Sequence, residues 1–192
     1  MAYERLNTEM IYQGRAFSVM RILVSLPDGS RKHYDLVGHN GSVTLVPVND
    51  RGEIYFVRQY RIGARDYLLE LPAGVLETGE DPATGASREI REETGMAAKQ
   101  FIKIGDFYMA PGYSDEFLTI YLATGLYPSP LSADPDEFLE LELIRADKAL
   151  AMAEAGKIQD GKTLAALLLA KPHLNKLFGD EFWKIGEQIG PV

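Results

Sequence analysis

The sequence contains no cysteine, only three histidines and no long apolar run. Without cysteine the chain can form no disulfide, no thiolate zinc site and no cysteine nucleophile. Any metal must then be held by oxygen atoms or by those few histidines, which favours a hard cation. No stretch of about 18 apolar residues could span a bilayer, and the N-terminal residues lack the basic and apolar segments of a secretory signal. These absences predict a cytoplasmic protein with no membrane partner.

Basic side chains are also in the minority. The 28 acidic and 20 basic residues leave a net charge of -8, which repels the nucleic acid backbone, so nucleic acid is not expected as a partner. Hydrophobic residues make up 46% of the chain, as is usual for globular proteins. The 192 residues are enough for one domain with an additional element. An anionic substrate would need a cation to bridge it to so acidic a protein.

The first third of the chain has the pattern of antiparallel strands. Two β-rich runs flank the sequence Pro27-Asp28-Gly29-Ser30. Because proline presets its own φ and glycine accepts a positive one, this sequence predicts a hairpin. Two more such runs flank residues 49–52, which predicts a second hairpin and four strands before residue 62. Strands and helices do not strictly alternate in the rest of the chain, so an α+β fold is expected.

A helix is predicted over about residues 82–94. Asp81 suits the N-cap, Pro82 the first helical position and Gly95 the position just past the end. The apolar residues at helical spacing, which predict its buried stripe, are Ala83, Ala86 and Ile90.

Further strands are predicted at 99–111, 116–126 and 138–144. The C-terminal part predicts three helices, over 146–156, 161–172 and 173–188, because apolar residues recur there at helical spacing with Gly or Pro near the ends.

The helix over 82–94 carries an acidic cluster. Glu89, Glu92 and Glu93 are spaced so that they share one face. Like charges at this spacing destabilise a helix by a few tenths of a kcal/mol for each pair, and Arg88 and Arg91 offset part of that repulsion. A cation would reverse its sign, because adjacent carboxylates are the oxygen ligands that Mg2+ and Mn2+ prefer. The cluster therefore predicts a site for a hard divalent cation.

The acidic cluster lies within a longer pattern, GVLETGEDPATGASREIREETGM, at residues 74–96. Its spacing is G-x5-E-x7-R-E-U-x-E-E-x-G-U, where U is an aliphatic residue, and every fixed position is filled. This stretch resembles the signature of the Nudix hydrolases, a family that cleaves nucleoside diphosphates linked to another moiety. The resemblance implies a Nudix-type α/β/α sandwich with a mixed sheet, preceded here by an N-terminal antiparallel β-sheet.

The resemblance implies a role for each matching position. The cofactor it implies is Mg2+, with Mn2+ as a substitute, held by Glu89, Glu92, Glu93 and the backbone carbonyl of Ala73. The supporting and structural positions it implies are Glu80, Gly74 and Gly95, with Arg88 as an orienting catalytic partner.

Segments outside the signature resemble the ADP-ribose pyrophosphatase branch of the family. They are QYRIGARDYLLELPAG before it and FYMAPGYSDE after it. The resemblance implies substrate contacts at Arg58, Arg61, Glu70, Pro111 and Gly112. The first hypothesis is hydrolysis of ADP-ribose to AMP and ribose 5-phosphate. The second is hydrolysis of another nucleoside diphosphate sugar such as GDP-mannose, and the third is a non-catalytic domain that senses ADP-ribose.

The same branch implies a general base in the loop 132–138 and a homodimer. Glu137 is the first candidate for the base, Asp134 and Asp136 follow, and Glu92 within the signature is the alternative. Residues 1–42 are expected to form a sheet that mediates the dimer and contacts the substrate. Phe17 or Tyr34 is expected to stack on the adenine ring of the substrate. Residues 43–192 are expected to form the hydrolase domain with its C-terminal helices.

Overall fold

The computed structural model describes residues 2–132 and 138–187, with side chains through residue 179. These residues form three β-sheets and three helices. The strands of the first half are β1 (Glu4–Gln13), β2 (Ser18–Ser25), β3 (Arg31–Gly38), β4 (Ser42–Pro47), β5 (Glu53–Arg61), β6 (Asp66–Glu70) and β7 (Ala73–Val75). Then follow α1 (Pro82–Thr94), β8 (Met96–Tyr108), β9 (Phe117–Pro128), β10 (Glu140–Arg145), α2 (Ala146–Glu154) and α3 (Gly161–Glu187). None of the described helices has the length and apolarity to cross a bilayer.

The first three strands form an antiparallel sheet of their own, in the order β1-β2-β3. The predicted hairpin between β2 and β3 is confirmed. Gly29 adopts φ +86°, and the Asp28 carboxylate accepts hydrogen bonds from the backbone N–H and hydroxyl of Ser30. Strand β1 was not predicted, because its alternation of polar and apolar residues is weak and its residues are all exposed.

A mixed four-stranded sheet in the order β7-β4-β9-β8 forms the centre of the rest of the chain. Strand β4 pairs with β9 in parallel and with β7 antiparallel. Because side chains alternate along a strand, each face of this sheet has its own core. On one face Val43, Leu45 and Tyr121 pack with α1. On the other, Val46, Ile120 and Leu122 pack in one core with residues of α2 and α3. The predicted α/β/α sandwich with a mixed sheet is confirmed.

Strand β5 belongs to a third sheet, in the order β10-β5-β6. The turn predicted at residues 49–52 is present, since the Gly52 N–H donates to the Asn49 carbonyl. The prediction that β4 and β5 pair as a hairpin was wrong, because only the single bridge between Val48 and Ile54 joins the two runs. Local pattern identified the strands, but their partners β9, β6 and β10 lie further along the chain.

Helix α1 begins and ends where the sequence predicts. The Asp81 side chain accepts from the N–H groups of Ala83 and Thr84, and Gly95 closes the helix with φ +70°. The predicted stripe was partly wrong. Ala86 and Ile90 are buried, but Ala83, in the first turn, is exposed on a different side of the helix.

Helix α2 ends two residues before the predicted end at 156, and the two helices predicted over 161–172 and 173–188 are one helix, α3. The prediction that a helix ends at Pro172 was wrong, since α3 continues past it and leaves helical geometry only at Gly179, with φ +68° and ψ 174°. Proline removes one hydrogen bond inside a helix. Ala170 and Leu174, on either side of Pro172, are fully buried, and this burial on the sheet keeps the two halves in one helix.

Candidate active site

The residues of the signature meet where α1 packs beside β7. Ala86 and Ile90 anchor α1 on the sheet, and this brings Glu89 against the backbone of β7. Glu89 is only 7% exposed. A Cβ added to Gly74 would overlap the carboxylate carbon and both carboxylate oxygens of Glu89. Gly74 is therefore required for close approach of the carboxylate to the strand, because any side chain there would occupy the same space.

Arg88 joins three acidic side chains of the signature, those of Glu80, Glu89 and Glu92, into one network. Its Nε and Nη2 donate to the two oxygens of Glu80 at 3.2 and 3.0 Å. Its Nη1 donates to Glu89 at 2.6 Å and to Glu92 at 3.0 Å. The hydrogen bond to Glu80, together with the charge of Glu89, raises the pKa of Arg88. The bond from Arg88 in turn lowers the pKa of Glu80, so this pair remains ionised and holds the guanidinium over the cluster.

Glu93 contacts the strand β7. Its carboxylate accepts from the backbone N–H of Ala73 at 3.0 Å. Ala73 and Gly74 thus contact two of the three signature carboxylates, one through a hydrogen bond and one through van der Waals approach. The short strand β7 acts as the surface on which the carboxylates of α1 are arranged.

The donor chemistry of this cluster fits a hard divalent cation, although the side chains are turned toward Arg88. Within the described residues, no three acidic or histidine side chains converge closely enough to hold a metal. The reason is visible at Nη1 of Arg88, which bonds to both Glu89 and Glu92 and so lies where a cation between them would lie. Carboxylate oxygens on adjacent helical turns are suitable ligands for Mg2+ or Mn2+ once those side chains rotate.

A second charged network lies beside the first. The Glu70 side chain is 1% exposed and accepts two hydrogen bonds from Arg61, to its two oxygens, both at 2.7 Å. Lys162 also donates to Glu70 and pairs with Asp160 at 3.0 Å. Burial alone would raise the pKa of Glu70, but the hydrogen bonds and charges of Arg61 and Lys162 outweigh it and lower that pKa. Glu70 therefore stays ionised in the interior, with both of its oxygens engaged by protein groups.

The two arginines nearest to Arg61 in the sequence, Arg58 and Arg65, lie apart from it in the structure. Arg58 and Arg61 are three residues apart on β5, so their side chains leave the strand on opposite faces. Arg58 donates to Glu142 on β10 at 2.6 Å. Arg65 lies in the exposed turn after β5, with φ +57°. The structure therefore places only Arg61 next to Glu70.

The loop that carries Pro111 and Gly112 is fastened to the N-terminal sheet. Val37 of β3 donates to the Tyr113 carbonyl at 2.7 Å and accepts from Asp115 at 3.2 Å. Both Pro111 and Gly112 are exposed. The loop lies at the edge where β4 starts and β7 ends, because Ser42 pairs with Val75 on one side and with Leu118 on the other.

The candidate bases Asp134, Asp136 and Glu137 lie outside the described residues.

Asp160, Lys162 and Thr163 were not predicted to belong to the site. Nothing in the local pattern of the segment that contains them, DGKT, predicts contact with Glu70, which lies 92 positions before Lys162.

Comparisons with known proteins agree with this architecture. A family model described as the NUDIX domain matches residues 38–167. The chain is 37% identical over 161 residues to the ADP-ribose pyrophosphatase of Bacillus subtilis (strain 168), which covers 83% of this chain and 87% of that protein. It is 32% identical over 144 residues to the GDP-mannose pyrophosphatase of Yersinia pestis (strain Pestoides F), which covers 70% and 72%.

Among solved structures, the fold is similar to one described as the crystal structure of an ADP compounds hydrolase. The TM-score is 0.82 at 26% sequence identity, and the match covers 93% of this chain and 97% of that one.

Proposed function

We propose that this chain uses Mg2+ to hydrolyse ADP-ribose to AMP and ribose 5-phosphate. The chain belongs to the Nudix family and is a Nudix pyrophosphohydrolase that acts on nucleoside diphosphate compounds. The resemblance of residues 74–96 to the family signature is confirmed by the match to the family model. The observation that carries the choice of substrate is the 37% identity to an ADP-ribose pyrophosphatase over most of both chains.

The proposed ligands of the divalent ion are Glu89, Glu92, Glu93 and the carbonyl of Ala73. When bound, the ion would neutralise phosphate oxygens and generate a hydroxide nucleophile from water. This role suits an acidic chain, which would otherwise repel a diphosphate.

In this proposal Arg88 is the neighbouring cation that holds Glu89 and Glu92 together while Glu80 fixes the guanidinium, and both carboxylates would turn from Nη1 of Arg88 to bind the ion.

Arg61 is the proposed phosphate contact. Its Nε and Nη2 bond to Glu70, while Nη1 makes no hydrogen bond to any described residue. A guanidinium has five N–H donors, so the Nη1 side remains available to a phosphate oxygen. The negative charge of Glu93 contributes to the raised pKa of Arg61, after the larger effect of Glu70, so Arg61 lies within electrostatic reach of the proposed metal ligands.

The remaining proposed substrate contacts are Pro111 and Gly112 in the exposed loop. Arg58 is held by Glu142 in a half-exposed ion pair, so a direct contact from Arg58 would require it to leave that partner. Glu70 acts through Arg61 in this proposal, because both of its oxygens accept hydrogen bonds from Arg61 or Lys162. The proposed general base is Glu137, with Glu92 as the alternative.

The substrate assignment predicts a clear order of activities. With Mg2+ present, the purified protein is expected to release AMP and ribose 5-phosphate from ADP-ribose, and EDTA is expected to abolish that release. Product analysis by ion-exchange chromatography would measure kcat/KM for ADP-ribose and GDP-mannose under identical conditions. GDP-mannose is the second candidate because a GDP-mannose pyrophosphatase is 32% identical to this chain. A kcat/KM higher for GDP-mannose would overturn the choice of ADP-ribose and leave the family assignment intact.

We also propose that the N-terminal region, residues 1–42, forms a homodimer interface and that residues 43–192 form the hydrolase unit. Every residue of β1 is exposed on the single chain. Large apolar side chains of this sheet are exposed as well, among them Tyr3, Met10, Ile11, Tyr12, Phe17 and Tyr34. Exposed apolar side chains in this number on one small sheet favour a protein interface, and a second copy of the chain is the occupant that the proposal names.

The dimer proposal predicts a mass of twice 21.3 kDa in light scattering coupled to size exclusion. Replacing both Met10 and Ile11 by Asp is expected to give a monomer, because each new charge would lose its water in the interface. The matched control replaces Leu168, an exposed apolar residue of α3, by Asp. A wild-type protein that elutes as a monomer at all concentrations would contradict the proposal.

A further inference from the structure

We propose that Lys162, at the start of α3, is a positioning residue for Arg61 and acts through Glu70. The inference rests on the proposed function, in which Arg61 contacts a phosphate of the substrate. It adds the element that sets the direction of that contact: a chain of charges that runs from Asp160 through Lys162 and Glu70 to Arg61.

The geometry shows why Arg61 needs such support. The Arg61 side chain is 41% exposed, whereas Glu70 is 1% and Lys162 is 14% exposed. An arginine on a strand end with so much of its surface in water has many rotamers, and ordering it costs entropy. The bidentate pair with Glu70 removes that freedom, because two parallel N–H to O bonds fix the guanidinium in the plane of the carboxylate.

The orientation of the Glu70 carboxylate then decides where Arg61 points. The last torsion of glutamate is broad, so its carboxylate plane is set by its partners rather than by the side chain itself. Lys162 bonds to Oε2, the same oxygen that accepts from Nη2 of Arg61. With Lys162 in place, the Glu70 carboxylate cannot turn without losing its hydrogen bond from Lys162 or one from Arg61. Nη1 of Arg61 is therefore held in one direction.

Lys162 is itself held by the start of α3. Asp160 accepts from the backbone N–H of Thr163 at 3.0 Å and from its hydroxyl at 2.6 Å, as an N-cap does. The same hydroxyl accepts from the backbone N–H of Leu71 at 2.8 Å. The fully buried Thr163 thus fastens the helix to the segment that follows Glu70. That segment continues to Ala73, whose N–H holds Glu93.

The test compares Lys162→Met with Lys171→Met. Lys171 lies on the same helix in an exposed pair with Glu154, so it controls for the loss of one lysine from α3. Lys162→Met is expected to lower kcat/KM for ADP-ribose about tenfold, mostly through KM, because a misdirected Arg61 weakens binding of the phosphate. Lys171→Met is expected to match the wild type. Lys162→Arg, which keeps the charge, is expected to recover most of the lost activity.

A double-mutant cycle with Glu70→Gln separates positioning from folding. If Lys162 acts through Glu70, then adding Lys162→Met to Glu70→Gln changes kcat/KM by no more than about twofold. In the double variant Arg61 is 41% exposed to water and Asp160 keeps its two hydrogen bonds from Thr163, so the protein is expected to fold, and thermal melting monitored by circular dichroism checks this.

Three results would overturn the inference. Lys162→Met with a lower melting temperature but wild-type kcat/KM would assign Lys162 to stability alone. An undiminished effect of Lys162→Met in the Glu70→Gln background would mean that Lys162 acts independently of Glu70. A wild-type protein that hydrolyses no nucleoside diphosphate sugar would remove the proposed function and this inference together, whereas the first two outcomes leave the proposed function standing.

Discussion

Replacing Glu93 by Gln is expected to lower kcat on ADP-ribose by roughly a thousandfold or more while the protein stays folded. The change removes one negative charge from the proposed metal ligands. It keeps an oxygen that can accept the hydrogen bond from the Ala73 N–H, so the contact between α1 and β7 is preserved. The measurement is steady-state kcat at saturating Mg2+, with melting by circular dichroism to show that the fold is intact.

The control for this prediction is Glu154→Gln, which removes the same charge from an exposed pair on α2. That variant is expected to keep wild-type kcat. The comparison also addresses the third hypothesis, a non-catalytic domain that binds ADP-ribose, because such a domain would have no rate to lose. If Glu93→Gln kept its full activity, Glu93 could not be an essential metal ligand.

Replacing Gly74 by Ala is expected to damage both the site and the fold. The added Cβ would overlap the Glu89 carboxylate, which is buried and bonded to Arg88. The atoms that the Cβ would meet are the end of a flexible side chain, so Glu89 can move aside and the cost in folding free energy is expected to be about 1 kcal/mol, at the low end for overpacking. A displacement of Glu89 by about 1 Å is expected to reduce kcat/KM by on the order of a hundredfold. Chemical denaturation would measure the first effect and hydrolysis of ADP-ribose the second.

Gly63→Ala is the matched control for Gly74→Ala. A Cβ on Gly63 would meet no atom within 4 Å, and its φ does not lie in the left-handed region. Its substitution is therefore expected to leave stability and activity close to those of the wild type. Equal effects at the two glycines would show that loss of backbone freedom, and not contact with Glu89, governs the result at Gly74.

The elements that the sequence predicted correctly are those with local causes. Helix α1 was predicted to the residue because Asp81, Pro82 and Gly95 act within one turn of its ends. The β2–β3 hairpin followed from the turn at Gly29 for the same reason. Strands β6 and β7 were not predicted as strands. They are only five and three residues long, so too few residues are available to show an alternating pattern.

The errors concern partners that are distant along the chain. The pairing of β4 with β5 was wrong because β4 instead pairs with β9, more than 70 positions later. The predicted end at Pro172 was wrong because burial of Leu174 outweighs the local preference of proline. In the site, the alternation of β5 separates Arg58 from Arg61, although the resemblance implied a substrate contact at both.

By itself, the sequence determined the family, the α+β fold class and the acidic cluster of α1. These follow from residue types at fixed short spacings, and short spacings act through local geometry. Only the tertiary structure decided that Arg88 bridges Glu89 and Glu92, that Gly74 lies against Glu89, and that Lys162 reaches Glu70. Such contacts depend on how helices pack on the sheet, and burial sets that packing between residues that no local pattern connects.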